Sequence, residues 1–325
     1  MKAIVIEKPG NPDVLQIKEI PRPSPRDGWV RIRVKAFGLN RSEVFTRQGH
    51  SPGVRFPRVL GIECVGVVED APQCQVKRRQ KVAALMGGMG RDFDGGYAEY
   101  TCVPERCVFP LETDLEWSVL GAIPEMFQTT WGSLTQALEV RAGQSLLIRG
   151  GTSSIGMAAT VLAKDLGLTI AATTRNPAKV EALKGNGADY VVIDNGAIVD
   201  QVHRLFPHGV DCVLELIGTV TLLDSLKTVA PQGRLCMTGI LGNEWTLHEF
   251  APMEMIPTTV KLTTYAGEAE NLTSKELQRF VDGIATGRYR VNINRVFRFE
   301  EIVEAHRYME NNQAVGKLVV LVDSS

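Results

Sequence analysis

The alternation of apolar and polar positions divides the chain into three parts. Residues 1–122 contain short runs with a period of two, which is typical of β-strands, and few helical patterns. From residue 123 to 269, apolar segments alternate with amphipathic helical patterns, and further helices and strands follow from residue 270. The strands predicted in the first part are 1–6, 16–20, 29–38, 64–69 and 81–85.

The middle part contains six predicted strands separated by helical patterns. Such alternation predicts a parallel, doubly wound α/β sheet with right-handed crossovers. In a sheet of this kind, ligands bind beyond the carboxyl ends of the strands. The six strands are predicted around residues 146–148, 169–174, 190–194, 210–217, 234–238 and 261–265.

A short glycine- and serine-rich turn joins the first of these strands to a helix. Small side chains from Gly150 to Gly156 allow the backbone to approach a pyrophosphate, and the helix start directs free N–H groups towards it. The spacing departs from G-x-G-x-x-G, so the turn alone would also suit an ordinary strand-to-helix connection. The predicted pyrophosphate contacts are Gly151, Thr152, Ser153, Ser154 and Ile155.

The end of the second strand bears on the choice of nicotinamide cofactor. An acidic side chain there would accept hydrogen bonds from a ribose 2′-hydroxyl, but segment 173–179 contains none. Thr174, Arg175 and Lys179 instead offer a hydroxyl, a guanidinium and an ammonium, which match a 2′-phosphate. The segment therefore predicts NADPH over NADH, although both cations would also suit a solvated helix start.

Composition narrows the classes of partner. The chain has 325 residues, 44% of them hydrophobic, and a formal net charge of −1, so it has ample core for two domains and no electrostatic bias towards nucleic acid or membrane. The first residues alternate as a strand and lack the long apolar core of a signal peptide. We therefore expect a cytoplasmic protein with a small-molecule substrate and no nucleic-acid or membrane partner.

The six cysteines form no C-x-x-C pair, and the five histidines are scattered. In a chain of this size without a secretion signal, such cysteines are expected to be thiols. The spacing of these residues therefore indicates no metal site.

The last part of the chain is expected to return to the first domain. Thr273 and Glu276 form a capping box that opens a helix to about residue 286. A strand at 296–299, a helix at 300–309 and a strand at 317–322 follow. We predict a discontinuous catalytic domain over residues 1–122 and 270–325, a nucleotide-binding domain over 123–269, and an active site in the cleft between them.

Several segments, in this order, resemble the medium-chain dehydrogenase/reductase superfamily. The resemblance is strongest to the zinc-free quinone oxidoreductases, which bind NADPH and reduce quinones or α,β-unsaturated carbonyls. It implies a Rossmann domain, a GroES-like β-barrel catalytic domain and a homodimer built on edge strands of the nucleotide-binding domain. The segments are MKAIVIEKPG at the start, GLNRSEVFTRQG at 38–49, VLGIECVGVV at 59–68, DGGYAEYTCVPE at 94–105, IRGGTSSIG at 148–156 and AVGKLVV at 314–320.

Zinc-dependent members of the superfamily carry a Cys ligand in G-x-C-x-[ST]-D and a His ligand in G-H-E. Asn40 and Ile62 occupy those two positions here, and MGGMGRDFDGG at 86–96 replaces the cysteine-rich lobe of the structural zinc. The resemblance therefore implies no metal in either role. Without a Lewis acid to stabilise an alkoxide, reduction of an electron-poor acceptor is favoured over oxidation of an alcohol.

The resemblance also implies roles for individual residues. Asn40 is a candidate to hydrogen-bond a substrate carbonyl or the nicotinamide ribose. Phe45 replaces a tyrosine found in several quinone reductases, and His50 is a neighbouring candidate in the substrate pocket; no catalytic residue is assigned. Tyr190 at a strand start and Thr129 in a helix also suit purely structural roles. The further positions implied to contact the cofactor are Asn40, Thr129, Tyr190, Ile217, Gly239 and Lys317.

The predicted reaction is transfer of hydride from NADPH to a quinone or to the β-carbon of an enone, with solvent supplying the proton. Two other interpretations stay open. One is an NADPH-binding regulatory or structural protein with little turnover. The other is an alcohol dehydrogenase with atypical zinc ligands such as Cys64, Cys102 or His50.

Overall fold

The computed structural model describes residues 1–322 and divides the chain into two units. Unit 1 contains Met1–Gln128 together with the segment from Glu268 onward, and unit 2 is Thr129–Gly267. The sequence prediction put these boundaries after residues 122 and 269. Each unit is built from its own sheets.

The first part of unit 1 consists mainly of short strands. They are β1 (Lys2–Ile6), β2 (Gln16–Glu19), β3 (Trp29–Gly38), β4 (Arg58–Val59), β5 (Glu63–Asp70), β6 (Lys81–Leu85), β7 (Tyr100–Pro104) and β8 (Val108–Pro110). The helices are α1 (Arg41–Arg47), α2 (Trp117–Leu120) and α3 (Pro124–Gly132), and the boundary between the units falls within α3. The five strands predicted from the period-two pattern are confirmed as β1, β2, β3, β5 and β6.

Unit 2 alternates strands with helices, as predicted. A π-helical turn at Ser133–Ala137 follows α3. The strands are β9 (Ser145–Arg149), β10 (Thr169–Thr174), β11 (Tyr190–Ile193), β12 (Val210–Glu215), β13 (Val229–Met237) and β14 (Lys261–Thr264). The helices are α4 (Ser154–Asp165), α5 (Val180–Gly185), α6 (Val199–Leu205), α7 (Thr219–Leu226) and α8 (Pro252–Met255).

The six strands of unit 2 form one parallel sheet in the order β11-β10-β9-β12-β13-β14. The chain moves outward from β9 to β11 and then returns to the other side of β9, so the order reverses between β9 and β12. This is the Rossmann arrangement, and ligands bind at the reversal. The central strands are continuous apolar runs because helices cover parallel sheets. Fully buried residues there include Leu146, Leu147, Ile148, Val213 and Leu214.

The end of the chain belongs to unit 1. It contributes α9 (Ser274–Ala285), β15 (Ile293–Arg298), α10 (Ile302–Glu310) and β16 (Lys317–Leu321). The predicted capping box is present, since the Thr273 hydroxyl accepts the N–H of Glu276 at 3.2 Å. Strand β16 pairs with β3 and makes this unit discontinuous in sequence. Within residues 1–322, no helix is both long and apolar enough to span a bilayer.

Strand pairing organises unit 1 into two sheets. The strands form a three-stranded sheet, β2-β1-β4, and a seven-stranded sheet, β15-β16-β3-β5-β6-β8, with β7 on β3. One edge of β3 is shared, because residues 29–33 pair with β7 and residues 36–38 pair with β16. An antiparallel bridge between Ala3 and Ala98 links β1 of the first sheet to the segment just before β7, so the two sheets are connected. The strand pairs of the described residues do not by themselves close a barrel.

Candidate functional site

The glycine-rich turn between β9 and α4 lies at the reversal of the sheet of unit 2. The Ser153 hydroxyl accepts the N–H of Gly156 at 3.0 Å and donates to the carbonyl of Gly150 at 2.8 Å. Ser153 thereby caps the helix, and the N–H groups of Ser154 and Ile155 stand at its first turn. An anion placed there meets hydrogen-bond donors and the positive end of the helix dipole. The turn fits a dinucleotide pyrophosphate.

Close backbone packing explains the glycines of this turn. A β-carbon at Gly156 would lie 2.5 Å from the carbonyl oxygen of Gly150 and 2.7 Å from that of Gly151. Gly150 has a φ of 94°, in the left-handed region that favours glycine. The two outer glycines are thus required, although Ser153 stands where the motif usually has a third.

The predicted 2′-phosphate contacts come together at the end of β10. The Thr174 hydroxyl accepts the N–H of Asn176 at 3.2 Å, and the Asn176 side chain caps the next turn. Arg175 is exposed and Lys179 is half-buried. Burial and the neighbouring charge of Arg175 lower the pKa of Lys179, so the two cations are close enough to interact. An anion between them would relieve this repulsion.

Ile217 and Gly239 lie together at the ends of β12 and β13. The N–H groups of Ile217 and Gly218 donate to Glu215 Oε1 at 2.7 and 3.1 Å. A β-carbon at Gly239 would overlap the carbonyl of Leu216, so the two strand ends pack backbone against backbone. This packing presents both predicted positions at the carboxyl edge of the sheet.

Thr129 also lies beside this edge. The Ser133 hydroxyl, one turn further along the helix, lies 2.7 Å from the Thr129 carbonyl and 2.8 Å from the hydroxyl of Thr238. Thr238 directly follows β13 and precedes Gly239. The structure thus brings Thr129, Ile217 and Gly239 to one side of the sheet.

Three further candidates, Tyr190, Phe45 and His50, lie outside the carboxyl edge of the sheet of unit 2. Tyr190 starts β11, opposite Ala171, and its ring meets Phe206 edge-on at 5.6 Å. It therefore lies at the amino end of a parallel strand, away from the pyrophosphate turn. In unit 1, Phe45 is buried in α1, and His50 is exposed with its N–H on the Phe45 carbonyl at 2.8 Å.

Arg149, at the end of β9, is an important residue that the sequence reasoning missed. Its side chain is fully buried and contacts both carboxylate oxygens of Asp194 at 2.8 and 2.9 Å. Its remaining nitrogen donates to Asp224 at 2.7 Å and to Ser225 at 3.0 Å. The guanidinium thus ties β9 to α7 and to the segment after β11. The one signal in the sequence is a charged residue between a buried apolar run and Gly150.

Unit 1 contains a second polar site, the lysine cluster of Asn40, Glu43, Glu63, Glu125 and Lys317. Lys317 Nζ lies 2.8 Å from Glu63 Oε1 and 3.3 Å from Glu125 Oε2, and it donates to Asn40 Oδ1 at 2.5 Å. Asn40 Nδ2 donates to Glu43 at 3.2 Å and to Glu63 at 3.0 Å. All but Glu125 are buried.

These contacts engage the polar groups of the two predicted residues in the cluster. The Asn40 amide nitrogen donates to two carboxylates of the cluster, and the Lys317 ammonium contacts an amide oxygen and two carboxylates within it. A contact from either residue to substrate or cofactor therefore requires the cluster to open. Sequence reasoning missed Glu43, Glu63 and Glu125, although Glu43 and Glu63 flank the two positions that lack zinc ligands.

The surroundings of Glu43 strongly raise the pKa of its carboxyl group. Burial, with the charge of Glu63 adding, raises its pKa to about 7, although N–H groups of Ile62 and Asn40 favour the carboxylate. An unfolded glutamate titrates near pH ~4.3. The folded state therefore binds the proton more tightly. This contribution to stability is complete below the unfolded pKa and is lost as the pH rises through about 7.

Glu43→Gln is expected to remove this pH dependence. Between pH 4 and 8, the stability of the wild type should fall by on the order of 3 kcal/mol relative to the variant. Urea unfolding of both proteins across this range measures the difference. Glu254→Gln, at an exposed position of α8, is the control, and its free energy of unfolding should vary with pH in the same way as that of the wild type. Parallel curves for Glu43→Gln would contradict the assignment.

The residues present do not fit a zinc site. Ile62 has no donor atom, and the oxygen of Asn40 faces an ammonium. Burial raises the pKa of Cys102 to about 11, which disfavours the thiolate that would bind a metal. Within residues 1–322 no three His, Cys, Asp or Glu side chains converge on a possible metal position, so Cys64, Cys102 and His50 are not assembled into one.

Family comparisons match both parts of the chain. Residues 26–113 match the alcohol dehydrogenase GroES-like domain, and residues 186–320 match the family described as zinc-binding dehydrogenase. The quinone oxidoreductase of Lama guanicoe is 26% identical over an alignment that covers 99% of this chain and 98% of that protein. The similarity thus extends over both units.

Solved structures share the fold over the full length. An NAD-dependent alcohol dehydrogenase superimposes with a TM-score of 0.89 at 26% identity, covering 99% of this chain and 100% of that one. A mycobacterial protein complexed with NADPH superimposes with a TM-score of 0.88 at 24% identity, covering 99% of each chain. Together with the sheet order, the two family matches and the full-length similarity to quinone oxidoreductases support an oxidoreductase of the medium-chain dehydrogenase/reductase superfamily, in its quinone oxidoreductase branch.

Proposed function

We propose that the protein transfers hydride from NADPH to a quinone or an α,β-unsaturated carbonyl without a metal ion. The observation that carries the proposal is the pair of cations, Arg175 and Lys179, at the end of β10 in a Rossmann sheet. A 2′-phosphate would give both a shared anionic partner. Similar structures include an enzyme named as NAD-dependent and a complex with NADPH. The fold therefore does not distinguish the two cofactors, and the proposal for NADPH depends on these two side chains.

The residues of the chain would bind and orient the cofactor. NADPH, when bound, supplies the hydride. Ser154 and Ile155 would hold its pyrophosphate, and the backbone at Ile217 and Gly239 would border the nicotinamide. The reduced acceptor then takes a proton from solvent onto its oxygen, or onto carbon after enolate formation. This reaction needs no group to stabilise an alkoxide, in keeping with donors that do not fit zinc.

The deciding assay is NADPH oxidation with a panel of quinones and enals, with and without a chelator. Turnover that the chelator leaves unchanged supports the proposal. Binding of NADPH without turnover favours a regulatory or structural protein. Loss of turnover with chelator, together with zinc in the purified protein, favours an alcohol dehydrogenase with atypical ligands.

Arg175→Ala is expected to weaken NADPH binding about 10- to 100-fold, because it removes a charge-assisted contact to the 2′-phosphate. NADH lacks this phosphate, so its affinity should stay unchanged. Titration calorimetry with both cofactors measures the two affinities. Arg204→Ala, exposed on α6, is the control. Equal losses for NADPH and NADH would contradict the assignment.

Assembly and location form part of the same proposal. Strand β14 pairs only with β13 among the described residues, and such an edge is a template for a second copy of the chain. Trp245 and Met253, from the segment before β14, are 54% and 96% exposed. We propose a homodimer at this edge, which light scattering tests directly.

The six free thiols agree with a reducing, cytoplasmic environment, and we propose no nucleic-acid or membrane partner.

A further inference from the structure

The lysine cluster has the geometry of an occupied cation site. Three oxygen atoms from three separate segments converge on Lys317 Nζ: Asn40 Oδ1 before α1, Glu63 Oε1 in β5 and Glu125 Oε2 in α3. Lys317 itself comes from β16, at the far end of the chain. Oxygen ligands of this kind are those that hard divalent cations prefer. An ammonium occupies the point of convergence.

The buried side chain of Lys317 packs closely against Gly38. Gly38, at the end of β3, lies directly beneath it, and a β-carbon there would come within 2.5 Å of Lys317 Cε. The same β-carbon would lie 2.8 Å from the carbonyl oxygen of Gly121. Only a glycine therefore leaves room for the buried stem of Lys317. The close approach of Gly38 to Lys317 Cε thus helps to fix the position of the ammonium among the oxygens.

Charge balance requires a cation at this place. Glu63 and Lys317 both have fully buried side chains, and an unpaired buried carboxylate is strongly destabilising. Burial lowers the pKa of Lys317, but the charges of Glu63 and Glu125 outweigh it and the net shift is upward. Lys317 therefore remains an ammonium near neutral pH. The second oxygen of Glu63 accepts the N–H of Glu125 at 2.8 Å, which holds the carboxylate in place.

We propose that Lys317 is the resident cation of the cluster and keeps divalent metal ions out of it. Removing its side chain, with Asn40, Glu63 and Glu125 left in place, would create a site for a divalent cation with oxygen ligands. The proposal agrees with the lack of zinc donors at Asn40 and Ile62. It deepens the proposed metal-free function and rests on it.

The test compares Mn²⁺ binding by the intact wild-type chain and by Lys317→Ala. The wild type should bind no Mn²⁺ at the cluster. The variant should bind one Mn²⁺ per chain, followed by electron paramagnetic resonance, and Mn²⁺ should raise its Tm by on the order of 5 °C. The double variant Lys317→Ala/Glu63→Gln is the matched control, since it removes one ligand charge and should lose most of this binding.

Three results would overturn the proposal. The first is a folded Lys317→Ala that takes up no Mn²⁺, and the second is uptake that Glu63→Gln does not reduce. The third is stoichiometric Mn²⁺ binding by the wild type that is lost on Glu63→Gln. If Lys317→Ala folds only when Mn²⁺ is present, the proposal is supported; if it does not fold even then, the wild-type titration decides. None of these readouts uses turnover, so failure of the proposed reductase activity is seen separately.

Discussion

Arg149→Met is expected to destabilise the protein by roughly 3–5 kcal/mol, because it leaves buried carboxylates without their cation. Asp194 and Asp224 both depend on this guanidinium, and the side chain of Asp194 is only 7% exposed. Methionine approximates the length of the arginine stem but provides no donor. Urea unfolding followed by circular dichroism at pH 7 measures the loss.

The loss should also depend on pH in a defined direction. Opposing the effect of burial, the hydrogen bonds and charge of Arg149 hold the pKa of Asp194 below its ordinary value in the folded wild type. Its stabilising contribution is therefore present above the unfolded pKa and is lost as the pH falls through the folded value. The difference between wild type and Arg149→Met should shrink on acidification below pH ~4.

Arg234→Met is the matched control for Arg149→Met. Arg234 also belongs to unit 2, and it donates to the Leu138 carbonyl at 3.1 Å and to Glu139 at 2.9 Å. Its side chain is 22% exposed and that of Glu139 is 55% exposed, so solvent replaces the pair at little cost. We expect a loss of about 1 kcal/mol or less. Equal losses for the two variants would contradict the role given to the buried network.

The residue pattern predicted helices and strands well where a single local pattern defines the element. Strand β10 covers 169–174, as its apolar run predicts, and the Thr273 capping box begins α9. Strand β13 begins at Val229, five residues earlier than predicted. The prediction began at residue 234 because Gln232 and Gly233 interrupt the apolar pattern. The parallel, doubly wound sheet of unit 2 followed from the alternation of strands and helices alone, although its strand order did not.

The polar networks were not predictable because their members are far apart in sequence. Lys317 and Asn40 are separated by 277 positions, and Arg149 and Asp194 by 45. A single charged residue in an apolar run does not identify its partner. The pairing order of the strands in unit 1 escaped prediction for a similar reason, since β3 shares one edge between β7 and β16. Such pairings depend on the return of a distant segment.

Gly156→Ala is expected to weaken binding of NADPH and NADH alike, by about 10- to 100-fold. The new methyl group would meet the carbonyl oxygens of Gly150 and Gly151, which belong to the backbone of the turn. The start of α4 must therefore move away from the turn, and the N–H groups of Ser154 and Ile155 move with it. Losing one or two hydrogen bonds to a charged pyrophosphate, at about 1.5 kcal/mol each, corresponds to a change of this size. Cofactor titration by calorimetry measures both affinities.

Gly185→Ala separates this effect from a general response to the added methyl group. Gly185 ends α5, and a β-carbon there would meet no atom within 4 Å. Alanine favours the helix over glycine by up to about 1 kcal/mol, so this variant should be at least as stable as the wild type and bind both cofactors equally well. Wild-type affinity in Gly156→Ala would mean that the cofactor does not depend on the start of α4. Gly156→Ala should weaken the binding of both cofactors, whereas Arg175→Ala should weaken only that of NADPH. This pair of results would assign the pyrophosphate to the turn after β9 and the 2′-phosphate to the end of β10.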